Sequence, residues 1–510
     1  MMKPDFRQGD NTMNYNSTRD RKISVTSAQA IAQGLSEEGG LFVPESIPKL
    51  SKEDILGLCD KSYPERAFEI FRRYLTDFTD DEIRYCVNGA YSDKNFDSES
   101  ISEISHLYNG TYILELWHGP TCAFTDMALQ ILPYLLSCSA KKVIDGKDIA
   151  ILVATSGDTG KAALEGFKDV PGTSITVFYP EDGVSDMQKR QMTTQEGGNV
   201  NVCAVKGNFD DCQNGVKAIF TDPELKAELD KLGITFSSAN SINWGRLSPQ
   251  IVYYISAYAS LVKSGDIEYG EKVNIVVPTG NFGNILAAYY AKEMGLPVNK
   301  LICASNANNV LTDFINTGVY DRNRHFYTTI SPSMDILISS NLERLLYHLT
   351  DGDDRQISEW FGKLAKDGKY EVTDAVKAKI KELFYAGCCD DEATKGAIKQ
   401  AFDEYSYLMD THTGVAYKVY NDYRAATGDE TKTIIASTAN PYKFGKAVYE
   451  AVGGDTAGID EFTIIDKLEQ RTGTSMPAPL AATKTKTVRF TGSVDKSGMS
   501  KVVLDFLKSR

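Results

Sequence analysis

The chain has 510 residues, enough for two or three domains, and its hydrophobic (42%) and charged (24%) fractions suit a soluble globular protein with more than one core. Lysine and arginine number 55 against 69 aspartates and glutamates, a net charge of −14 that disfavours nucleic acid and anionic membrane as partners. Nine cysteines without a C-x-x-C pair, five histidines without metal-type spacing and no apolar run near the ~18 residues of a membrane span argue against a disulfide scaffold, a metal site and a membrane protein, leaving a cytoplasmic enzyme as the default.

Residues 1–12 are polar, precede a second methionine at Met13, and read as a disordered extension or an upstream start. An N-terminal segment, 13–100, opens with strand-and-turn text at Tyr15–Arg19 and Gly34–Pro44. Residues 51–110 read as mainly helical, with Ser51 and Asp54 placed as a capping box. Short β-rich runs then alternate with helical patterns. The predicted strands are Ile149–Ala154, Ser174–Tyr179, Val200–Val205, Val273–Val277, Leu301–Ala304 and Thr433–Ser437. Near-continuous apolar strands, each followed by a turn and a helix, are the mark of buried parallel sheet built from βαβ units. The predicted layout is a first α/β unit over 101–270 and a second over 271–510, with a helical insert at about 340–430. The insert is expected to serve a substrate gate or a subunit contact.

In open parallel sheets ligands bind at the carboxyl ends of the strands. Thr155-Ser-Gly-Asp-Thr-Gly-Lys161 follows one such end, and glycines with hydroxyls at a helix start present free N–H groups to an anion. Its spacing is not that of a Walker A loop. Pro278-Thr-Gly-Asn-Phe-Gly-Asn284 follows another; Gly280 and Gly283 let the backbone approach a phosphate at the start of a helix. Ser238-Ala-Asn-Ser-Ile-Asn-Trp-Gly-Arg-Leu-Ser-Pro249 clusters amides with Arg246, which suits bidentate recognition of a carboxylate or phosphate, while Trp244 reads equally as packing. Ala436-Ser-Thr-Ala-Asn-Pro-Tyr-Lys-Phe444 closes a late strand.

These loops, with His118-Gly-Pro-Thr-Cys-Ala-Phe-Thr-Asp126, stand in the order and nearly the wording of the threonine synthase family, from Tyr15 to about Phe444. The resemblance implies a fold type II enzyme: two open, twisted, mostly parallel sheets flanked by helices, with pyridoxal 5'-phosphate (PLP) in the crevice between them. It implies that Phe282 and the amides of Gly280, Asn281, Gly283 and Asn284 hold the cofactor phosphate. It also implies that Thr438, or failing it Ser437, meets the pyridine nitrogen. Ser156, Asp158 and Thr159 would take a substrate carboxylate, and Asn243 and Arg246 a substrate phosphate. The implied reaction converts O-phospho-L-homoserine and water to L-threonine and phosphate in a monomer or homodimer.

Two positions depart from the family pattern. Asn440 stands where members often carry histidine, and Thr125 stands where they carry the Schiff-base lysine. Threonine has no amine, so neither the covalent anchor nor the proton relay of that lysine is available at this position. Three explanations compete: a variant of a lysine-bearing chain, a ligand-binding relative without catalysis, or a lysine relocated from elsewhere, for which Lys161 is the candidate. A phospho-lyase releasing 2-oxobutyrate is the alternative activity. Locally, Thr125 reads as a solvated helix-start residue able to act as an N-cap, and His118 either stacks near the cofactor or, the favoured reading, bonds backbone within its Gly-Pro turn.

Overall fold

All six runs read as strands are strands, because each is a stretch of apolar and β-branched residues with no exposed face. The structure, a computed structural model, describes residues 12–144, 146–155, 157–181, 184, 186–207 and 209–510. Of the expected extension over 1–12, residues 1–11 lie outside these.

The strands form two separate sheets. One has five strands, in the order Ser493–Val494, Val200–Val205, Thr173–Pro180, Asp148–Ala154 and Ile234–Ser237, all parallel. The other has six: Phe384–Cys388, Val298–Ser305, Val273–Pro278, Thr433–Ser437, Thr111–Glu115 and Glu103–Tyr108. Only its last pair is antiparallel. This is the doubly wound, mostly parallel α/β architecture expected.

Strand order reverses once in each sheet. In the five-stranded sheet the chain steps outward from Asp148–Ala154 to Thr173–Pro180 and Val200–Val205, then returns to add Ile234–Ser237 on the other side. In the six-stranded sheet it steps outward from Val273–Pro278, then returns to add Thr433–Ser437 on the opposite side. A crevice opens at the carboxyl end of such a switch point, since the flanking crossovers leave in opposite directions. All four strands bordering the two switch points end in loops singled out from the sequence.

Sheet membership departs from the expected layout. The sequence layout puts the hairpin Glu103–Tyr108/Thr111–Glu115 in the first unit, and part of it in a helical region, yet it extends the six-stranded sheet through Thr433–Ser437. The C-terminal Ser493–Val494 and the helix Met499–Lys508 return to the five-stranded sheet. The boundary at 270 therefore does not separate the sheets. Within the 340–430 insert, Phe384–Cys388 is a strand, and only the rest is helical apart from Lys369–Glu371. Pairing decided these memberships, and pairing partners lie hundreds of residues away.

The N-terminal segment packs across both units. Tyr15–Ser17 pairs with Ser24–Val25 and Phe42–Pro44, and Ser51 and Asp54 form the expected reciprocal cap of Lys52–Leu58. Trp244, at the start of the long helix Trp244–Ser264, is fully buried. Its ring lies 5.3 Å from Tyr15, 5.4 Å from Tyr74 and 5.5 Å from Tyr290, so it joins the N-terminal segment to the core of the six-stranded unit. Packing is thus its role. Among the described residues no helix is long and apolar enough to cross a membrane.

Trp244→Ala should lower unfolding free energy by about 3–5 kcal/mol, the cost of an aromatic-sized cavity, while Trp244→Phe should cost clearly less. Urea midpoints with unchanged m-values test this. Equal loss in both variants would point to something other than ring volume.

Candidate active site

Three of the singled-out loops lie side by side, because they leave three neighbouring strands of the six-stranded sheet. They are the turn after Pro278, the turn after Ser437 and the loop after Glu115. The last is zipped onto the second by backbone bonds: Phe124 N–H to the Thr438 carbonyl (2.8 Å), Asn440 N–H to the Cys122 carbonyl (3.0 Å), and an Ala123–Ala439 bridge. Cys122 adopts a left-handed φ of 57° to make that turn.

The Gly280–Asn284 turn has the form of an anion cup. Phe282 is left-handed (φ 63°) and stands at the start of the twelve-residue helix Gly283–Met294, with no side-chain cap on its first N–H groups. An N-terminus left open in this way attracts a phosphate. A Cβ on Gly280 would lie 2.6 Å from the Ser333 carbonyl, so only glycine permits that approach. The Asn284 amide oxygen accepts the Tyr253 hydroxyl (2.7 Å) and the Tyr254 hydroxyl, leaving its buried Nδ2 without a protein partner. The Phe282 ring is buried 5.9 Å from Phe384, so only its backbone faces a ligand.

Of the two hydroxyls after Ser437, one is committed. The Ser437 Oγ accepts from Trp117 Nε1 and Thr413 Oγ1, both at 3.1 Å. Among the described residues Thr438 has no hydrogen bond to its hydroxyl. Asn440 caps the following turn by accepting from Tyr442 N–H (3.0 Å).

At the other switch point Thr155 Oγ1 accepts from Gly157 N–H and Gly160 N–H, both at 3.0 Å, which organises the start of the helix Asp158–Phe167. Ser156 lies outside the described residues. Thr159 is half-buried there, and among the described residues nothing bonds its hydroxyl. Asp158 departs from its expected role. Its carboxylate lies 2.8 Å from the ammonium of Lys443. Burial alone would raise its pKa, but the Lys443 charge overrides burial and holds it below the usual carboxylate range. That oxygen is committed to Lys443, and a carboxylate offers no hydrogen-bond donor to a substrate carboxylate.

Asn243 departs as well. It is fully buried, caps Trp244–Ser264 through Gly245 N–H (2.8 Å), and donates to the Ile31 and Ser238 carbonyls, both at 2.9 Å. It shapes the loop and has no group left for a ligand. Arg246 differs: its Nη1 donates to the Ala239 carbonyl (2.9 Å), its Nε is buried without a partner among the described residues, and burial lowers its pKa to about 10. That is a cation short of an anion.

Thr125 itself is 4% exposed, with αR backbone (φ −58°, ψ −26°), and makes no cap bond. Its Oγ1 is buried without a partner. It is therefore not the solvated N-cap expected; the chain enters the short helix Asp126–Leu129 already helical, which aims the hydroxyl away from the first amides. Neighbouring Asp126 accepts from Thr121 N–H (2.8 Å) and Oγ1 (2.7 Å), and burial pushes its pKa up to about 6. Lys161 is no substitute amine, since Glu165 (2.8 Å) and Gln195 hold it.

His118 bonds carboxylates rather than backbone: Nδ1 lies 2.7 Å from Asp97 and Nε2 3.0 Å from Glu115, with the ring stacked 4.3 Å from Trp117. Burial would lower its pKa, but these two acids raise it above the ordinary imidazole value. Glu103, Glu115 and His118 lie close enough to hold a cation. With both ring nitrogens donating to carboxylates, however, the imidazole offers a metal no lone pair. Lys443 is the functional-site residue that sequence reasoning passed over, although it stands within the quoted Asn440–Phe444 motif.

The residues thus fit a phosphate and a neutral ring nitrogen, and supply no amine at position 125. Comparison with known proteins agrees with that chemistry. The model "Threonine synthase N terminus" matches residues 14–91, "Pyridoxal-phosphate dependent enzyme" matches 99–375, and "Threonine synthase, C-terminal" matches 413–486. Human threonine synthase-like 1 is 41% identical over 444 residues, covering 85% of this chain; the chain spans only 59% of that protein's length. Threonine synthase of Schizosaccharomyces pombe is 37% identical over 465 residues, covering 86% of this chain and 88% of the relative. The PLP-bound crystal structure of threonine synthase from Brucella melitensis superposes with a TM-score of 0.87 at 33% identity, covering 97% of this chain and all of that one.

Three outcomes follow from this geometry. Thr125→Val deletes an unpaired buried hydroxyl and should leave stability unchanged or raise it by up to about 1 kcal/mol. Thr125→Lys without cofactor should melt lower, because it buries an ammonium. For His118, the raised folded pKa means its stabilisation is complete below the ordinary imidazole value and is lost as pH climbs through the folded value. Wild type should therefore exceed His118→Gln by more at about pH 6 than at about pH 9 in denaturant midpoint, and a pH-independent gap would refute the ion pairing.

Proposed function

The chain belongs to the threonine synthase family of pyridoxal-phosphate enzymes, and from that premise we propose that its crevice binds PLP and a phosphorylated amino acid of the O-phospho-L-homoserine type. The observation that carries this reading is the open N-terminus at Gly283, with Asn284 Nδ2 unpaired beside it. The Gly280–Asn284 amides would hold the cofactor phosphate, and the Thr438 hydroxyl would meet the ring nitrogen as a neutral partner. Thr159 and the amides at the start of its helix would take the substrate carboxylate. The unpaired Arg246 Nε is suited to an anionic group.

When bound, PLP supplies an electron sink for charge developing beside the amino carbon. The chain's contribution is to orient that carbon, exclude water from it and move protons. Orientation and exclusion are provided by loops whose side chains are buried and bonded. Proton movement is where this chain is short: the Thr125 hydroxyl is buried and does not ionise near neutrality. General acid–base groups contribute about 10²–10⁴-fold per step, roughly 3–5 kcal/mol of barrier. Losing one that serves several steps leaves a site that binds far better than it turns over. The proposed function is therefore threonine synthase chemistry in a lysine-bearing form, and ligand binding with little turnover in this one. Elimination to 2-oxobutyrate is the competing outcome.

The test is a PLP titration followed by product analysis with O-phospho-L-homoserine. The wild-type chain should take up PLP without a borohydride-fixable adduct at residue 125. Thr125→Lys should gain that adduct and form threonine at least about 10²-fold faster. Restored 2-oxobutyrate without threonine would establish the lyase. Binding without turnover in Thr125→Lys would establish a non-catalytic relative, and failure of both chains to bind PLP would end the proposal.

A further inference from the structure

Lys443 bonds to loops from both sheets. Its side chain is fully buried, its ammonium donates to the Thr121 carbonyl (2.8 Å), and it lies 2.8 Å from Asp158 Oδ1. Thr121 belongs to the loop that leads to position 125, on the six-stranded sheet; Asp158 starts a helix on the five-stranded sheet. We infer that Lys443 is a positioning residue: it fixes the Thr121–Thr125 segment against the Asp158 helix start, and so sets how position 125 faces the crevice. This rests on the preceding reading of that crevice as the PLP site.

The other bonds on the segment cannot do this. Phe124 N–H to Thr438, Asn440 N–H to Cys122 and the Ala123–Ala439 bridge all tie it to its own sheet. Among the bonds of the described residues to this segment only the ammonium reaches across, and a buried ion pair holds its geometry because breaking it strands a charge. Lys443 also neutralises Asp158, whose bare carboxylate would otherwise face an incoming anion at the same helix start. It is not a replacement for the missing amine: an ammonium donating to a carbonyl and a carboxylate has no lone pair with which to attack an aldehyde.

Cys122 is a built-in reporter. It follows Thr121, is 1% exposed, and burial pushes its thiol pKa above the ordinary range. Cys303, fully buried in the strand Val298–Ser305, is the control for general loosening. The experiment labels the full-length chain with iodoacetamide and maps both cysteines by mass spectrometry, alongside PLP binding by equilibrium dialysis. Lys443→Met should raise Cys122 labelling at least about tenfold with Cys303 unchanged, and weaken PLP binding by at least about tenfold. Asp158→Asn keeps the bond to Thr121 and should raise Cys122 labelling less. Where Lys443→Met does not fold, Lys443→Met/Asp158→Asn carries the same readout, since it leaves no lone buried charge. Unchanged Cys122 labelling, or a rise matched by Cys303, overturns the inference. Cys122 decides the positioning role and dialysis of the wild-type chain decides the cofactor reading, so the two failures are distinguishable.

Discussion

One constraint governs this molecule: each sheet reverses its strand order, and the two reversals face one another. A reversal leaves a gap between diverging crossovers, and the loops bordering it have backbone groups with no neighbour to bond. Glycines and hydroxyls there keep those groups open to an anion. The gaps are bordered by Gly280–Asn284 and Thr438 on one side and by Thr155, Gly157, Thr159 and the Asn240–Arg246 loop on the other. The rest of the chain, including the N-terminal segment docked through Trp244, keeps those edges in register.

The crevice is held by charge as much as by apolar packing. Lys443 and Asp158 pair across it, Lys161 and Glu165 pair behind it, and Asp126 sits between with its carboxyl supported by Thr121. Such a buried network is stable only when every member is satisfied. The members left unsatisfied are therefore informative. Asn284 Nδ2, Arg246 Nε and Thr125 Oγ1 are each buried and unpaired. The first two are donors with unused capacity, which the proposed function gives to anions. The third is a hydroxyl that does not cap the short helix Asp126–Leu129.

Much of this was legible in the text of the chain. The six buried strands were readable as unbroken apolar runs, because a strand covered on both faces leaves no polar alternation. The Ser51–Asp54 cap was readable because its partners are three residues apart. The turn at Gly280–Asn284 was readable as a close backbone approach at a helix start, because glycines directly follow a buried strand there. The edge strand Glu103–Tyr108 was not, being half-exposed and stabilised by its hairpin partner and not by its own pattern. The same holds for the return of Ser493–Val494 to the first sheet.

What the sequence determined by itself was part of the inventory: six buried strands, the glycine- and hydroxyl-bearing turns that follow them, and that position 125 carries no amine. Those are local facts, settled by residue type and spacing. What only the tertiary structure decided was which side chains remain available. Asp158 and Asn243 carry suitable groups and are consumed, by Lys443 and by the Ile31 and Ser238 carbonyls. Lys443 looks like one more residue of a turn, yet it joins two sheets. Availability depends on partners brought in from distant parts of the chain, and hydrogen-bond capacity once used cannot be read from composition.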